Sequence, residues 1–360
     1  MNLEGSSKWD LDTPALVLDL DMLEANLAFM ARFMAGASAN LRPHAKTHKC
    51  AEIGRRQLEA GAVGITCAKL GEAEALAHVA PDILIANQIV GPTKIGRLVR
   101  LRRRTDVMVA VDDAGNVDEL SQAAGAAGVS LRVLVEVDVG MGRCGVATAE
   151  EALALARRVD AAPGLVFSGL QGYEGHAVMI PDFEQRRATA EKAMAHLTGV
   201  RRYIEENGLP VAIVSGGGTG TYNITGNYPG VDEVQAGSYV TMDARYSSIV
   251  PEFLPAMTVL ASVISKPSAG RAITDAGMKA ITPEFGMPPV VRPDGLTTVK
   301  LSEEHGTLDG PGATSLKLGD KVELIPSHGC TTINLHERYF IVQGDRVVDM
   351  WPIEARGRFT

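Results

Sequence analysis

The sequence predicts an α/β fold, a TIM-type (β/α)8 barrel followed by a C-terminal β domain. Between Leu41 and Ser238, short apolar runs alternate with helix-like segments, and the strand candidates number eight. That count and its regular spacing favour a barrel over a doubly wound open sheet. After about Ser248 the texture changes to short strands and turns with no long helical period, which predicts a separate β domain.

The elements follow in order. Ala15–Leu20 (ALVLDL) is a compact strand candidate outside the eight, expected to cross over and pair in the β domain. From Asp21, the spacing of Leu23, Leu27, Met30 and Phe33 predicts a helix. The barrel strands are expected near LRPHAK, GITCAK, ILIANQ, VMVAVDD, RVLVEVD, VFSGLQGY, VAIVSGG and DEVQAGS. Helix-like connectors include Ala51–Ala60, Glu72–Ala80, Asn116–Ala127, Ala149–Val159 and Asp182–Asn207. LPAMTVLASVIS, RAITDAG, TTVKLS, KVELIP, RYFIVQ and RVVDMWPI form the β domain. The expected limits are 14–247 for the barrel and 248–360 for the β domain, with residues 1–13 grouped with the latter. No internal repeat or low-complexity linker marks the boundary.

The bulk properties exclude several partners. The chain has 360 residues, 46% hydrophobic and 22% charged, with a formal net charge of -8. That balance argues against nucleic acid, which favours a basic face. No apolar run reaches the ~18 residues of a membrane span, and MNLEGSSKWD lacks a secretory pattern. The cysteines, Cys50, Cys67, Cys144 and Cys330, are widely spaced without a CxxC, which points to a reducing, cytoplasmic setting.

The chemistry is expected at the C-terminal ends of the barrel strands. Lys46 lies at the end of the first, in LRPHAKTHKC, among Arg42, His44, His48 and Lys49. Nearby positive charge and desolvation free the neutral amine of such a lysine for nucleophilic attack. SGGGTGTY (Ser215–Tyr222, with Gly218, Thr219 and Gly220) ends the seventh strand and QAGSY (Gln235–Tyr239) the eighth. Loops at those two strands frequently bind phosphate in this fold, and glycines let backbone N–H groups face an anion. A lysine with a phosphate cradle suggests pyridoxal 5'-phosphate (PLP), held by the lysine as a Schiff base and serving as an electron sink. Arg143, just past the fifth strand, would keep the pyridine nitrogen unprotonated. Tyr173 could pack on the cofactor, and His176 could act as acid or base. In IPSHGCTTINLH, His328 and Cys330 are expected on one face of a strand, where imidazole and thiolate suit zinc or a similar divalent ion. Asp275 and His305 are softer candidates, equally suited to fixing turns.

TPALVLDLD, RPHAKTHK, EVDVGMGRCGV, SGGGTG, QAGSYVTMD, DAGMK, EEHG and PSHGC together resemble the metal-activated D-threonine aldolase and D-serine dehydratase family, in order over nearly the whole chain. The resemblance implies a fold-type III PLP enzyme, similar to alanine racemase and usually a homodimer, acting on a small D-amino acid. It implies that Lys46 bonds the cofactor and that Arg143 faces the pyridine nitrogen. Thr219, Gly220, Gly237 and Ser238 would lie around the phosphate, with Tyr173 and Tyr239 nearby and His44 as a neighbour that orients the site. His328 and Cys330 would hold a divalent metal, zinc or manganese, with magnesium or cobalt as lesser alternatives, beside the substrate's β-hydroxyl.

Two departures bear on the reaction. The aldolases carry His-x-Asp at the metal position, where this chain has Cys330, whereas the dehydratases carry His-x-Cys. The aldolases also have a histidine where this chain has Met179, and His176 is the candidate to replace it. HAKTHK, GRCGV, SGGGTG and QAGSYVTMD look more like the aldolases. The expected activity is therefore retro-aldol cleavage of a D-3-hydroxy amino acid to glycine and an aldehyde. The alternative is D-serine or D-3-hydroxyaspartate dehydration to a keto acid and ammonia. A racemase would not need the metal, and non-catalytic PLP-binding proteins resemble the barrel alone.

Overall fold

The computed structural model describes residues 4–360. By its contacts the chain divides into two units. One contains the chain up to Phe29, Thr47–Glu52 and Ser238–Gly357; the other contains Met30–Lys46, Ile53–Gly237 and Arg358–Thr360.

β1 (Ala15–Asp19) belongs to the first of these. The second is built on eight strands: β2 (Asn40–Leu41), β3 (Ile65–Cys67), β4 (Asp82–Gln88), β5 (Asp106–Val111), β6 (Leu131–Glu136), β7 (Leu165–Gly172), β8 (Ile213–Gly216) and β9 (Glu233–Val234). Neighbours pair in parallel in the order β2-β9-β8-β7-β6-β5-β4-β3. A bridge between His44 and Thr66 joins the two ends. There Ala45 N–H donates to Thr66 O (2.7 Å) and Thr66 N–H to Pro43 O (2.8 Å), so the barrel closes. Pro43 has no N–H to give, which explains why β2 is so short as a regular strand.

Strands covered on both faces read as unbroken apolar runs. In β5 every residue from Val107 to Val111 is buried, and Leu84, Met108 and Leu134 cluster with Ala86 and Ile213. The connecting helices carry their own start signals. Asp113 caps Ala114–Ala127, Thr148 and Glu151 form a capping box on Ala149–Ala161, and Asp182 caps Phe183–Glu206. Pro92–Arg102, absent from the connectors expected above, begins with proline in its first turn, where the missing N–H costs nothing.

A charged network gathers where β4, β5, β6 and β9 begin. Arg42 donates to both carboxylate oxygens of Glu233 (2.8 and 2.7 Å) and to Asp82 (2.8 Å), and Arg132 joins Asp82 (2.7 Å) and Asp106 (2.7 Å). Arg42 and Glu233 are buried, so each neutralises a charge that would be costly alone. This network occupies one end of the barrel and leaves the strand C-termini for chemistry.

The first unit holds a mostly antiparallel sheet: β1 with β10 (Met257–Ser268), β11 (Arg271–Thr274), β12 (Val290–Arg292), β13 (Thr297–Leu301), β14 (Gly306–Asp309), β15 (Lys321–Leu324), β16 (Arg338–Gln343) and β17 (Arg346–Pro352). β1 pairs antiparallel with β10 (Ala15 opposite Leu260) and parallel with β16 (Val17 opposite Phe340). Leu11, Val17, Leu260, Val342 and Val347 form its apolar centre, with Trp9 and Phe340 packed against them. Asp275 ties this sheet together, accepting from Thr13 Oγ1 (2.6 Å) and Ser262 N–H (2.8 Å). His305 is exposed, and its carbonyl closes a turn onto Ser302. Among the described residues no helix is long and apolar enough to cross a membrane.

Candidate active site

Within the barrel unit, three of the expected residues converge on one ring. Tyr173 follows directly on β7. Lys46 Nζ lies 5.5 Å from its ring centroid and Arg143 Cζ 5.7 Å. His44 is buried and accepts the Lys46 backbone N–H at Nδ1 (3.4 Å), while its own N–H donates to Ala236 O (3.2 Å). Lys46 is thereby fixed by its backbone at the end of the first barrel strand.

Arg143 is carried on the loop after β6, and that loop is tied at both ends. Asp138 Oδ1 accepts from the N–H groups of Gly140 (3.0 Å), Met141 (2.9 Å) and Gly142 (3.0 Å). At the far end Val146 bridges back to Val137, and Gly145 N–H donates to Asp112 (2.9 Å). Gly145 has φ +105°, and a Cβ there would collide with the backbone of Val137 and Asp138. The guanidinium reaches Glu136 at 4.0 Å, at the end of β6. Burial raises the pKa of the Glu136 carboxyl, against the opposing pull of Gln88 and Arg143. His176 is exposed and lies against Gly140.

The glycine loop after β8 is held by a residue the sequence reading missed. Glu174 is fully buried. Its carboxylate accepts from Gly217 N–H (3.0 Å), Thr221 Oγ1 (2.7 Å) and Thr225 Oγ1 (2.6 Å). Thr221 Oγ1 in turn accepts from Gly218 N–H (3.2 Å). The N–H groups of Gly217 and Gly218 are thus committed within the protein. What Gly218 offers is space beside Tyr173 and Val178, and a Cβ at Gly220 would run into the Val178 carbonyl. Thr219 and Gly220 lie in the single turn Thr219–Thr221, and Gly237 is buried past the end of β9. An amine, an aromatic ring, a guanidinium and a glycine turn at strand ends form a donor set that suits PLP.

The other unit contains Ser238 and Tyr239, both buried in the turn Ser238–Val240, with Tyr239 packed on Phe253 (5.7 Å). It also contains His328 and Cys330. These do not lie on a strand, as the His-x-Cys spacing suggested. His328 is extended (φ -138°), and Cys330 sits in the short helix Gly329–Ile333 that begins immediately after it. Gly329 makes the junction, its N–H donating to Asp243 Oδ2 (2.9 Å). The two side chains still meet, because the turn brings the helix's first residues back toward the extended one. His328 hydrogen-bonds Cys330, and Cys330 Sγ donates to Thr47 Oγ1 (3.3 Å), the residue after Lys46 in the chain. Burial opposes protonation of His328, but its hydrogen bonds to Asp243 and Cys330 outweigh that and push its pKa up to about 10.

Imidazole and thiolate are fitting ligands for a divalent metal. Among the described residues no group of three or more His, Cys, Asp or Glu side chains is arranged to hold a metal ion. Asp243, which ends QAGSYVTMD, is the N-cap of Ala244–Ser247 and accepts Tyr246 N–H (2.8 Å). Among the described residues the non-glycines with positive φ are Lys49 (53°) and Met242 (54°), and Met242 immediately precedes Asp243.

The chain is similar to known proteins over nearly its whole length. Residues 18–245 match the alanine racemase N-terminal domain and residues 256–342 a putative serine dehydratase domain. A D-threonine aldolase from Arthrobacter sp. is 42% identical over 96% of this chain and 93% of its own length. A 3-hydroxy-D-aspartate aldolase from Paracoccus denitrificans (strain Pd 1222) is 38% identical over 99% of this chain and 95% of its own. The crystal structure of D-threonine aldolase from Filomicrobium marinum overlays with a TM-score of 0.95 at 39% identity, covering 98% of each chain. Fold, strand-end chemistry and whole-length similarity together make the chain a member of the alanine racemase-like, fold-type III PLP family of D-threonine aldolases and D-serine dehydratases.

Proposed function

We propose that the chain is a PLP- and divalent-metal-dependent lyase that cleaves D-3-hydroxy amino acids into glycine and an aldehyde. The observation that carries the choice of bond is the whole-length likeness to D-threonine aldolase. Lys46 would bond the cofactor, and Tyr173, whose ring lies near both Lys46 and Arg143, would offer its ring as the packing surface. Arg143 would serve the pyridine nitrogen, and its permanent charge would keep that nitrogen unprotonated. The turn at Thr219 and Gly220, with Gly237, Ser238 and Tyr239, serves the phosphate. His328 and Cys330 hold the metal. When bound, PLP supplies an electron sink for charge at Cα and the metal a Lewis acid for the β-hydroxyl.

The chain's residues then move two protons. His176 takes the hydroxyl proton as the Cα–Cβ bond breaks and the aldehyde leaves. Lys46 returns a proton to Cα, giving glycine. The four cysteines are thiols, with Cys50 and Cys67 buried, which supports a cytoplasmic setting, and the family resemblance supports a homodimer.

One observation favours dehydration as a second reading: the thiol of Cys330 beside His328, where the resembling aldolases carry a carboxylate. Product analysis with D-threonine and D-serine separates the two. Glycine with acetaldehyde from D-threonine is expected. A keto acid with ammonia as the main products would replace cleavage by dehydration.

A further inference from the structure

We propose that Asp243 is the positioning residue of the metal centre: its carboxylate holds His328 through Nδ1, so that Nε2 is the nitrogen presented to the cation. The proposal rests on the reading of His328 and Cys330 as metal ligands and deepens it.

The Asp243 side chain is only 1% exposed. Its two oxygens have separate tasks. Oδ1 accepts Tyr246 N–H (2.8 Å), and Oδ2 accepts Gly329 N–H (2.9 Å) and faces His328 Nδ1 (3.1 Å). An ionised carboxylate only accepts, so Nδ1 keeps its hydrogen toward Asp243, and Nε2 is the nitrogen that gives up its proton as the cation binds. The outer partner of a ligating imidazole sets its tautomer and orientation in this way, and losing it typically costs about 10- to 100-fold in metal affinity. The other contacts point the same way. Phe285 lies against the imidazole, ring centroids 4.7 Å apart and planes at 51°, which limits rotation of the ring. The same Asp243 oxygen that grips the imidazole also grips the backbone between His328 and Cys330, so one group fixes both ligands. Met242, at φ +54°, is held in a left-handed conformation immediately before Asp243.

Asparagine cannot replace this carboxylate. Three donors face Asp243, and an amide offers one acceptor oxygen and an NH2 that must confront at least one of them. If the NH2 faces the imidazole, His328 is driven to the opposite tautomer, and Nε2 is protonated and lost as a ligand.

The test is Zn2+ titration of the full chain against a competing chelator, with far-UV circular dichroism to show that each variant is folded. Asp243→Asn and Asp243→Ala should weaken Zn2+ binding about 10- to 100-fold. Unchanged affinity in a folded variant would overturn the proposal. Wild-type chain that takes up no Zn2+ would overturn the ligand reading itself, and the proposal with it. Nitrogen NMR of the Zn2+-loaded wild type needs no variant to fold. It should find His328 protonated at Nδ1 and metal-bound at Nε2, and the reverse assignment would overturn the role given to Asp243.

Discussion

Lys46 Nζ stands 5.5 Å from the centre of the Tyr173 ring. The pairing places the amine and an aromatic face at strand ends of one barrel, β2 and β7, as the proposed bonding and stacking of PLP requires. Lys46→Ala should therefore abolish the near-visible absorbance of the PLP-loaded protein and lower turnover at least about 10²-fold. Absorption spectra before and after dialysis check this, and an unchanged spectrum would remove Lys46 from the cofactor site. Tyr173→Ala should weaken PLP binding by a few-fold to roughly 30-fold, the range of a ring contact with a cation. Tyr173→Phe, which keeps the ring, should bind PLP nearly as the wild type does.

Glu174 leads to a second prediction, on stability. It accepts from one backbone N–H and two hydroxyls, all buried. Glu174→Ala strands those donors, at roughly 1–3 kcal/mol for each that finds no new partner. Urea denaturation should register that loss. Because the same donors shape the turn Thr219–Thr221, PLP affinity should fall with it, and Glu174→Gln, which keeps one acceptor, should lie between. Gly220→Ala should also weaken PLP binding, since its Cβ would meet the Val178 carbonyl, a backbone atom that cannot easily give way.

Most of the barrel was legible because parallel strands buried on both faces leave apolar runs such as VMVAV, and the strands from β3 to β7 are each followed by a longer helix. β12 and β14 were not. VVR and GTLD are short and lack an alternating apolar face; β12 pairs with the distant β15, and β14 pairs with both the preceding β13 and the more distant β11. Lys46, Arg143 and Tyr173 could be picked out because strand ends carry the chemistry in this fold. Glu174 and Asp243 could not, because a buried carboxylate that braces a loop has no spacing signature. Its donors are backbone N–H groups and hydroxyls that every sequence contains. His328 and Cys330 were legible as a pair, but the extended conformation expected for them ends at Gly329, where the Asp243 contact opens a helical turn.

Cys330 gives the third prediction, on metal preference. A thiolate favours soft or borderline ions such as Zn2+, while a carboxylate in its place favours harder ions such as Mn2+ and Mg2+. Chelation should remove activity from the wild type and Zn2+ should restore it. In Cys330→Asp, the ratio of Mn2+ to Zn2+ affinity should rise, read by competitive titration of the two ions. An unaltered ratio would mean that position 330 does not bind the metal.

The last prediction concerns Asp138 and the loop that carries Arg143. Burial tends to raise the Asp138 carboxyl pKa, but the N–H groups of Gly142, Gly140 and Met141, with the charge of His176, hold it below the usual carboxylate range. A group whose folded value is depressed stabilises the fold fully above its unfolded value, about 3.9, and that stabilisation is lost as pH falls through the lower folded value. The loop should therefore keep its brace at neutral pH and lose it only in acid. The amide resonances of Gly140, Met141 and Gly142 should titrate together, with a midpoint below about 3.9. Asp138→Ala should remove that common titration and weaken PLP binding at neutral pH, because the turn that presents Arg143 to Tyr173 then has no carboxylate to close on. Separate midpoints for the three amides, or one above the ordinary carboxylate value, would show that Asp138 does not organise the loop.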